Sequence, residues 1–483
     1  MLNKFIQIKI REYFGHKPLA GQEEVFAALA DFLNASAPEE QIFLLKGYAG
    51  TGKTSVIAAL VKAFEELKLK SVLMAPTGRA AKVLSRYAEK QAFTIHKKIY
   101  RQQSSNEGMG KFKLDKNLHT NTIFIIDEAS MINNSSYENS AFGSGRMLDD
   151  LIEYVYKGKG CKLILSGDTA QLPPVHSVLS PALDKKELET YGKQVIEHEL
   201  TEIIRQAQAS GILYNATEIR RLLADTPYDT KLDDFPQIQL DDFDDITRVS
   251  GADLIEEISD AYALNSERGV AVICRSNKRA NRFNLGIRNS VLYREDEIAP
   301  GDLLMVVKNN YYWLEEGSKT EFIANGDIAE VKQIYGYEER YGYRFADVKL
   351  QFFDYDDLEI QTKVLLDTLH SESPSLGKED FKTFYHNVAA DYQEIRSKRQ
   401  IFKKVKENPF FNALQVKYAY AFTCHKAQGG QWHTVFVDQG WLSKDMLDTG
   451  FLRWLYTAFT RSEKKLHLIN FSNDFFGGEA LEY

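Results

Sequence analysis

The chain has 483 residues, 44% of them hydrophobic and 27% charged, which exceeds one ordinary domain, supplies several separate cores and excludes a disordered chain. Three cysteines, Cys161, Cys274 and Cys424, stand far apart without metal-ligand spacing, so neither a disulfide scaffold nor a zinc site is expected and a reducing, cytoplasmic setting is. No apolar run reaches membrane-spanning length, Met1-Leu2-Asn3-Lys4-Phe5 does not read as a leader, and the net charge of −8 hides strong segregation along the chain.

In chain order, the first chemical feature is the apolar run Ile42-Phe43-Leu44-Leu45 leading into Gly47-Tyr48-Ala49-Gly50-Thr51-Gly52-Lys53-Thr54, a complete phosphate-binding loop. Its glycines let consecutive N–H groups turn onto phosphate oxygens. Lys53 supplies a cation for the β- and γ-phosphates, and the Thr54 hydroxyl is a Mg²⁺ ligand. Val56, Ile57, Leu60, Val61 and Phe64 recur at helical spacing, so a positive helix end faces the same phosphates. A nucleoside triphosphate is the expected ligand.

The same device, an apolar strand ending in small or polar residues, then repeats. Val72-Leu73-Met74-Ala75 runs into Pro76-Thr77-Gly78-Arg79, Ile123-Phe124-Ile125-Ile126 into Asp127-Glu128, and Leu163-Ile164-Leu165 into Gly167-Asp168-Thr169-Ala170-Gln171. In a parallel α/β sheet all such turns open on one edge, where ligands bind. Asp127 is placed as the Mg²⁺ partner of Thr54, and Glu128 to polarise the attacking water. Further on, Val270-Ala271-Val272-Ile273 ends at Cys274-Arg275-Ser276-Asn277, and residues 416–422 end at Thr423-Cys424-His425-Lys426-Ala427-Gln428-Gly429. A helical stretch to Arg461 and the strand Leu466-His467-Leu468-Ile469 complete a second α/β core. One triphosphate rarely needs two sheets unless it sits between them, so Arg205 and Arg461 read as fingers reaching the γ-phosphate from the other lobe.

Charge falls in blocks. Residues 225–257 carry eleven acids against Lys231 and Arg248, a surface that a polyanion would avoid. Three basic runs stand apart: Arg275, Lys278, Arg279, Arg282 and Arg288; Arg396, Lys398, Arg399, Lys403, Lys404 and Lys406; and Lys97, Lys98, Arg101, Lys111, Lys113 and Lys116 around a glycine-containing loop. Each by itself reads first as a solvated face.

Taken together, Gln22, the phosphate loop, Ala75-Pro76-Thr77-Gly78-Arg79, Thr94-Ile95-His96, Asp127-Glu128, Gly167 to Val175, Leu200-Thr201-Glu202-Ile203-Ile204-Arg205, Thr423 to Gly429 and Tyr456-Thr457-Ala458-Phe459-Thr460-Arg461 resemble the motifs of superfamily 1 helicases over nearly the whole chain. Leu172-Pro173-Pro174-Val175, with Asn309-Asn310-Tyr311 and Asn325-Gly326-Asp327-Ile328, is similar to the RecD-like and Dda-like branch, which moves 5′ to 3′. The resemblance implies an α/β fold of two RecA-like parallel-sheet domains, with a β-hairpin inserted in the first and an SH3-like plus helical insertion in the second. It assigns 1–97 and 121–200 to the first motor domain, 98–120 to a strand-separating pin, 201–329 and 415–483 to the second motor domain, and 330–414 to the accessory domain.

By the same resemblance Gln22 reads adenine, and Gly47, Gly50, Thr51, Gly52, Lys53, Thr54 and Gly429 hold ATP, with Mg²⁺ on Thr54 and Asp127. Glu128, Gln171, Arg205 and Arg461 are the catalytic set. Pro76, Thr77, Thr94, His96, Asn309, Asn310, Thr423 and His425 line the DNA backbone, and Phe112 near the pin tip stacks on the last base pair. Gln431 departs from the acid that many relatives carry. The expected function is an ATP-dependent DNA helicase, acting as a monomer on single-stranded DNA and fork junctions, away from membranes. The alternative is a translocase that strips proteins from single-stranded DNA, or a motor subunit of a repair complex. Contacts to phosphates alone leave RNA open as a substrate.

Overall fold

The structure is a computed structural model that describes residues 2–35, 40–102, 112–135, 143–175, 177–202, 210–314, 322–355 and 357–478. Six parallel strands form the first sheet, in the order Ala92–Thr94, Lys70–Ala75, Thr122–Ile126, Lys162–Gly167, Gln41–Gly47 and Gln194–Leu200. The strand Gln41–Gly47 shows why such strands read as unbroken apolar runs. Phe43 and Leu45 enter the core under the helices Ala20–Leu33 and Lys53–Glu66, while Ile42 and Leu44 enter the core under Met147–Lys157 on the other face.

The second sheet is also parallel, in the order Ala421–Thr423, Val270–Cys274, Trp432–Asp438, Ser462–Ile469 and Ile246–Val249. Two RecA-like α/β lobes are therefore present. A closed barrel joins Leu303–Val306, Ile328–Arg340, Tyr343–Phe352, Leu358–Leu365 and Leu414–Tyr418. Two of its strands come from segments expected in the second motor domain, so the barrel extends beyond 330–414 at both ends. Leu303-Leu304-Met305-Val306 is buried throughout and looks in sequence like a parallel core strand; only its antiparallel pairing with Ile328–Arg340 and Leu414–Tyr418 assigns it to the barrel. The helices Lys378–Ala389 and Lys398–Lys406 cap the barrel by setting Phe384, Val388 and Val405 against Phe345 and Leu365.

A buried ion cluster roots the barrel in the second lobe. The Arg288 guanidinium donates to both oxygens of Asp302, at 2.9 and 2.8 Å, and Asp302 also accepts from Tyr420 at 2.9 Å and Arg294 at 3.2 Å. Arg279 pairs with both oxygens of buried Asp438 at 2.8 and 2.6 Å. Arg288 and Arg279 of the first basic run are thus partners of buried carboxylates, not members of a solvated face. Burial of these acids required paired cations, since a lone buried charge is costly.

Candidate nucleotide cleft and nucleic-acid groove

The strand Gln41–Gly47 delivers the phosphate loop, and the helix Lys53–Glu66 begins at its lysine. Gly50 and Gly52 have φ of +78° and +86°, which a side chain would strain. At Gly47 a Cβ would come within 2.9 Å of the Thr51 hydroxyl and 3.1 Å of Leu200. Gln22 is buried against the loop: it accepts from the Leu19 N–H at 2.9 Å and donates to the Thr51 carbonyl at 3.0 Å. Lys53 donates to the Tyr48 carbonyl at 3.0 Å, folding the lysine over the loop in which it sits.

Asp127 follows the neighbouring strand, is buried, and accepts from the Ser166 hydroxyl at 2.9 Å. Glu128 has φ of +54°, a left-handed conformation that is strained for a residue with a side chain and that turns the chain sharply away from the strand end. Burial pushes both carboxyls up. Lys53 opposes that rise at Asp127, and at Glu128 the largest opposing influence is Arg461, with Asp127 and Asp168 adding to the rise. Arg461 belongs to the other lobe. Its guanidinium is buried and held by the carbonyls of Thr457 at 3.1 Å and Gly430 at 3.2 Å. Arg205 lies outside the described residues.

Several side chains that join the lobes were not singled out in the sequence as site residues. Tyr456, on the helix Thr449–Phe459, donates to Asp168 at 2.7 Å and accepts from the phosphate-loop Ala49 N–H at 2.9 Å. The Leu172 N–H donates to Thr457 at 2.8 Å, Gln428 donates to the Leu172 carbonyl at 2.7 Å, and Arg453 donates to the carbonyls of Thr169 and Gln171. The strand-end position of Asp168 was a legible signal; nothing in the spacing marks Tyr456. Between these contacts the buried Gln171 side-chain oxygen has no hydrogen-bond partner among the described residues. Gly429, expected at the nucleotide, instead meets the first lobe at Thr77 and Ala80, where a Cβ would fall 3.0 and 2.9 Å away.

Between the first lobe and the barrel with its helices, a cavity of about 710 Å³ is lined by Pro76, Thr77, Thr94, His96, Phe112, Asn309 and Asn310. Seven residues chosen from separate motifs therefore share one groove. Thr77 and Thr94 cap helices by accepting from the N–H groups of Ala80 and Lys97, both at 3.2 Å, so positive helix ends face the groove. Burial lowers the His96 pKa to about 4, which leaves the ring neutral near pH 7. Thr423 and His425 stand apart at the helix Cys424–Ala427 of the second lobe.

Two assignments change. Asn309 and Asn310 spend their amides on the fold: Asn309 accepts from the Asn325 N–H at 2.7 Å, and Asn310 donates to the Asn412 carbonyl at 2.7 Å. Phe112, expected near the tip of the 98–120 hairpin, lies in the strand Phe112–Leu114, paired with Tyr100–Gln102, and leans on Tyr311 at 4.9 Å between ring centroids; residues 103–111 of that hairpin lie outside the described residues. Aromatic residues not named as site residues in the sequence, Tyr311, Tyr312, Phe322, Phe381 and Phe411, also line the groove.

Comparison with known proteins places two family models on this geometry: an AAA domain over residues 21–222 and a UvrD-like helicase C-terminal domain over 418–469. An uncharacterized protein of Acanthamoeba polyphaga mimivirus is 24% identical over 91% of this chain and 97% of its own length. The ATP-dependent RecD2 DNA helicase of Deinococcus radiodurans is 30% identical over 36% of this chain, a match that spans 21% of that helicase. Among solved structures, Pif1 helicase from Bacteroides in complex with ADP-AlF3 and single-stranded DNA superposes with a TM-score of 0.48 at 15% identity, covering 97% of this chain and 95% of that one. The first model lies on the phosphate-loop lobe and the second on the lobe that brings Arg461 and Tyr456 to it.

Proposed function

We propose that the chain is an ATP-dependent DNA helicase that moves 5′ to 3′ along single-stranded DNA and parts the duplex ahead of it. The observation that carries this reading is the shared cleft: Glu128 of one lobe feels Arg461 of the other, and Tyr456 reaches from the second lobe to the phosphate loop. A nucleotide held there links its γ-phosphate to the spacing of the lobes, and the groove between the first lobe and the barrel is gripped or released as that spacing changes. Gln22 stands at the base side, Lys53 and the loop N–H groups hold phosphates, and Glu128 orients the attacking water. Thr54 and Asp127 fit Mg²⁺, a hydroxyl and a carboxylate being a donor set for an ion that keeps several waters. Bound there, Mg²⁺ would neutralise charge on the β- and γ-phosphates.

The test is unwinding of matched duplexes bearing a 5′ or a 3′ single-stranded tail, with ATP and Mg²⁺. Separation of the 5′-tailed duplex alone is the expected result. Separation of the 3′-tailed duplex alone overturns the polarity, and DNA-stimulated ATPase without separation of either points to protein stripping instead.

A further inference from the structure

Besides Tyr456, a second set of contacts joins the lobes. It starts where the groove-lining turn Pro76-Thr77-Gly78 passes into the helix Gly78–Ala88. The next residue, Arg79, lays its guanidinium on the ring of Trp432 in the second lobe, 3.8 Å from the centroid, and donates to the Gln431 carbonyl at 3.3 Å. Trp432 is buried, and Gly430 leaves room for the pair: a Cβ there would fall 2.7 Å from the indole and 2.8 Å from Arg79 Nε. The same segment holds the arginine finger. Arg461 donates to the Gly430 carbonyl at 3.2 Å, and the Trp432 N–H donates to the Arg461 carbonyl at 3.0 Å. The Trp432 ring also lies 5.2 Å from that of Phe422, the residue that leads into Thr423 and His425. Contacts therefore run unbroken from the groove turn, through Arg79 and Trp432, to the backbone from which Arg461 is held. A guanidinium on a ring depends less on one exact angle than a hydrogen bond does, so this contact can persist while the lobes shift.

Resting on the helicase reading above, we propose that Arg79 and Trp432 are positioning residues that make ATP turnover respond to DNA. A strand bound at Pro76 and Thr77 fixes the first turn of the helix Gly78–Ala88 and Arg79 with it, and Arg79 sets the segment 430–432 that carries Arg461. Such coupling is carried by packed side chains whose arrangement both sites bias, and it is measured as an energy between residues. A grip on a DNA phosphate would ask only for positive charge at position 79. Stacking on Trp432 asks for the planar guanidinium, which lysine lacks.

The experiment measures ATPase without DNA and over a titration of single-stranded DNA for wild type, Arg79→Ala, Arg79→Lys, Trp432→Leu and the double variant Arg79→Ala/Trp432→Leu. Thermal unfolding checks that each is folded. In Arg79→Ala the rate at saturating DNA should fall about threefold to tenfold, while the DNA-free rate, nucleotide affinity and half-saturating DNA concentration stay within about twofold of wild type. Arg79→Lys should behave like Arg79→Ala, Trp432→Leu should show the same loss at saturating DNA, and the double variant should be no slower than the slower single one. An equal fall in the DNA-free and DNA-saturated rates, recovery by lysine, a raised half-saturating DNA concentration with a normal saturated rate, or additive losses in the double variant each overturn the proposal while leaving the helicase reading intact. Should Trp432→Leu not fold, the two Arg79 variants decide alone. A wild type whose ATPase does not respond to single-stranded DNA overturns both.

Discussion

The nucleotide cleft and the nucleic-acid groove are built on opposite principles. The cleft consists of short polar turns at the ends of buried parallel strands, closed by a few hydrogen bonds from one helix of the second lobe. The groove is walled by aromatic rings from segments as far apart in sequence as Phe112 and Phe411, and its whole lining runs from Pro76 to Gln415. Charge chemistry on a triphosphate tolerates little displacement, so its groups sit on the most rigid part of the fold. A strand that must slide needs surfaces that stack on any base and hold none of them strongly, which rings on loops supply.

The sharpest break in that comparison comes from the cleft. Glu128→Gln should keep nucleotide binding while DNA-stimulated turnover falls on the order of 10³- to 10⁴-fold, the upper range for a lost general base. Measuring nucleotide affinity and ATPase side by side decides it; near-normal turnover removes Glu128 from the mechanism. Arg461→Ala should lower the catalytic rate on the order of 10³-fold, typical of a lost arginine finger. Normal rates with weakened DNA binding would instead move Arg461 to the groove.

The groove should respond differently. Phe112→Ala removes a stacking ring worth roughly 1–3 kcal/mol per base, so strand displacement should fall about tenfold while ATPase on single-stranded DNA holds. Loss of both together would show that Phe112 chiefly supports Tyr311 and the fold. Tyr456→Phe sits between the two regions. Removing its hydroxyl leaves Asp168 and the Ala49 N–H each short of a hydrogen bond, and turnover should fall about threefold to tenfold with DNA affinity unchanged. A parallel loss of DNA affinity would show that the contact transmits to the groove. The smallest effect is expected from Asn310→Ala, which deletes a fold contact of about 1 kcal/mol; thermal unfolding should register it and ATPase should not.

The sequence by itself determined the two parallel-sheet lobes and the strand-end turns that form the candidate nucleotide cleft, because those signals are local. The turn from Gly47 to Thr54 and the Asp127-Glu128 pair each follow their own strand, and their residue types state their roles. It also chose Pro76, Thr77, Thr94 and His96, which the fold does bring into one groove. Tertiary structure alone decided which remaining groups are spoken for. Asn309 and Asn310 look like ligand amides until their backbone partners are seen, and Arg279 and Arg288 look like a basic face until Asp438 and Asp302 are found opposite them. Barrel membership of Leu303–Val306, the reach of Tyr456 across the cleft and the ring contacts of Phe112, Tyr311 and Phe322 likewise depend on pairings between distant segments. Residue type and spacing record what a side chain can do; whether a distant neighbour has already taken up that capacity is settled only when the chain packs.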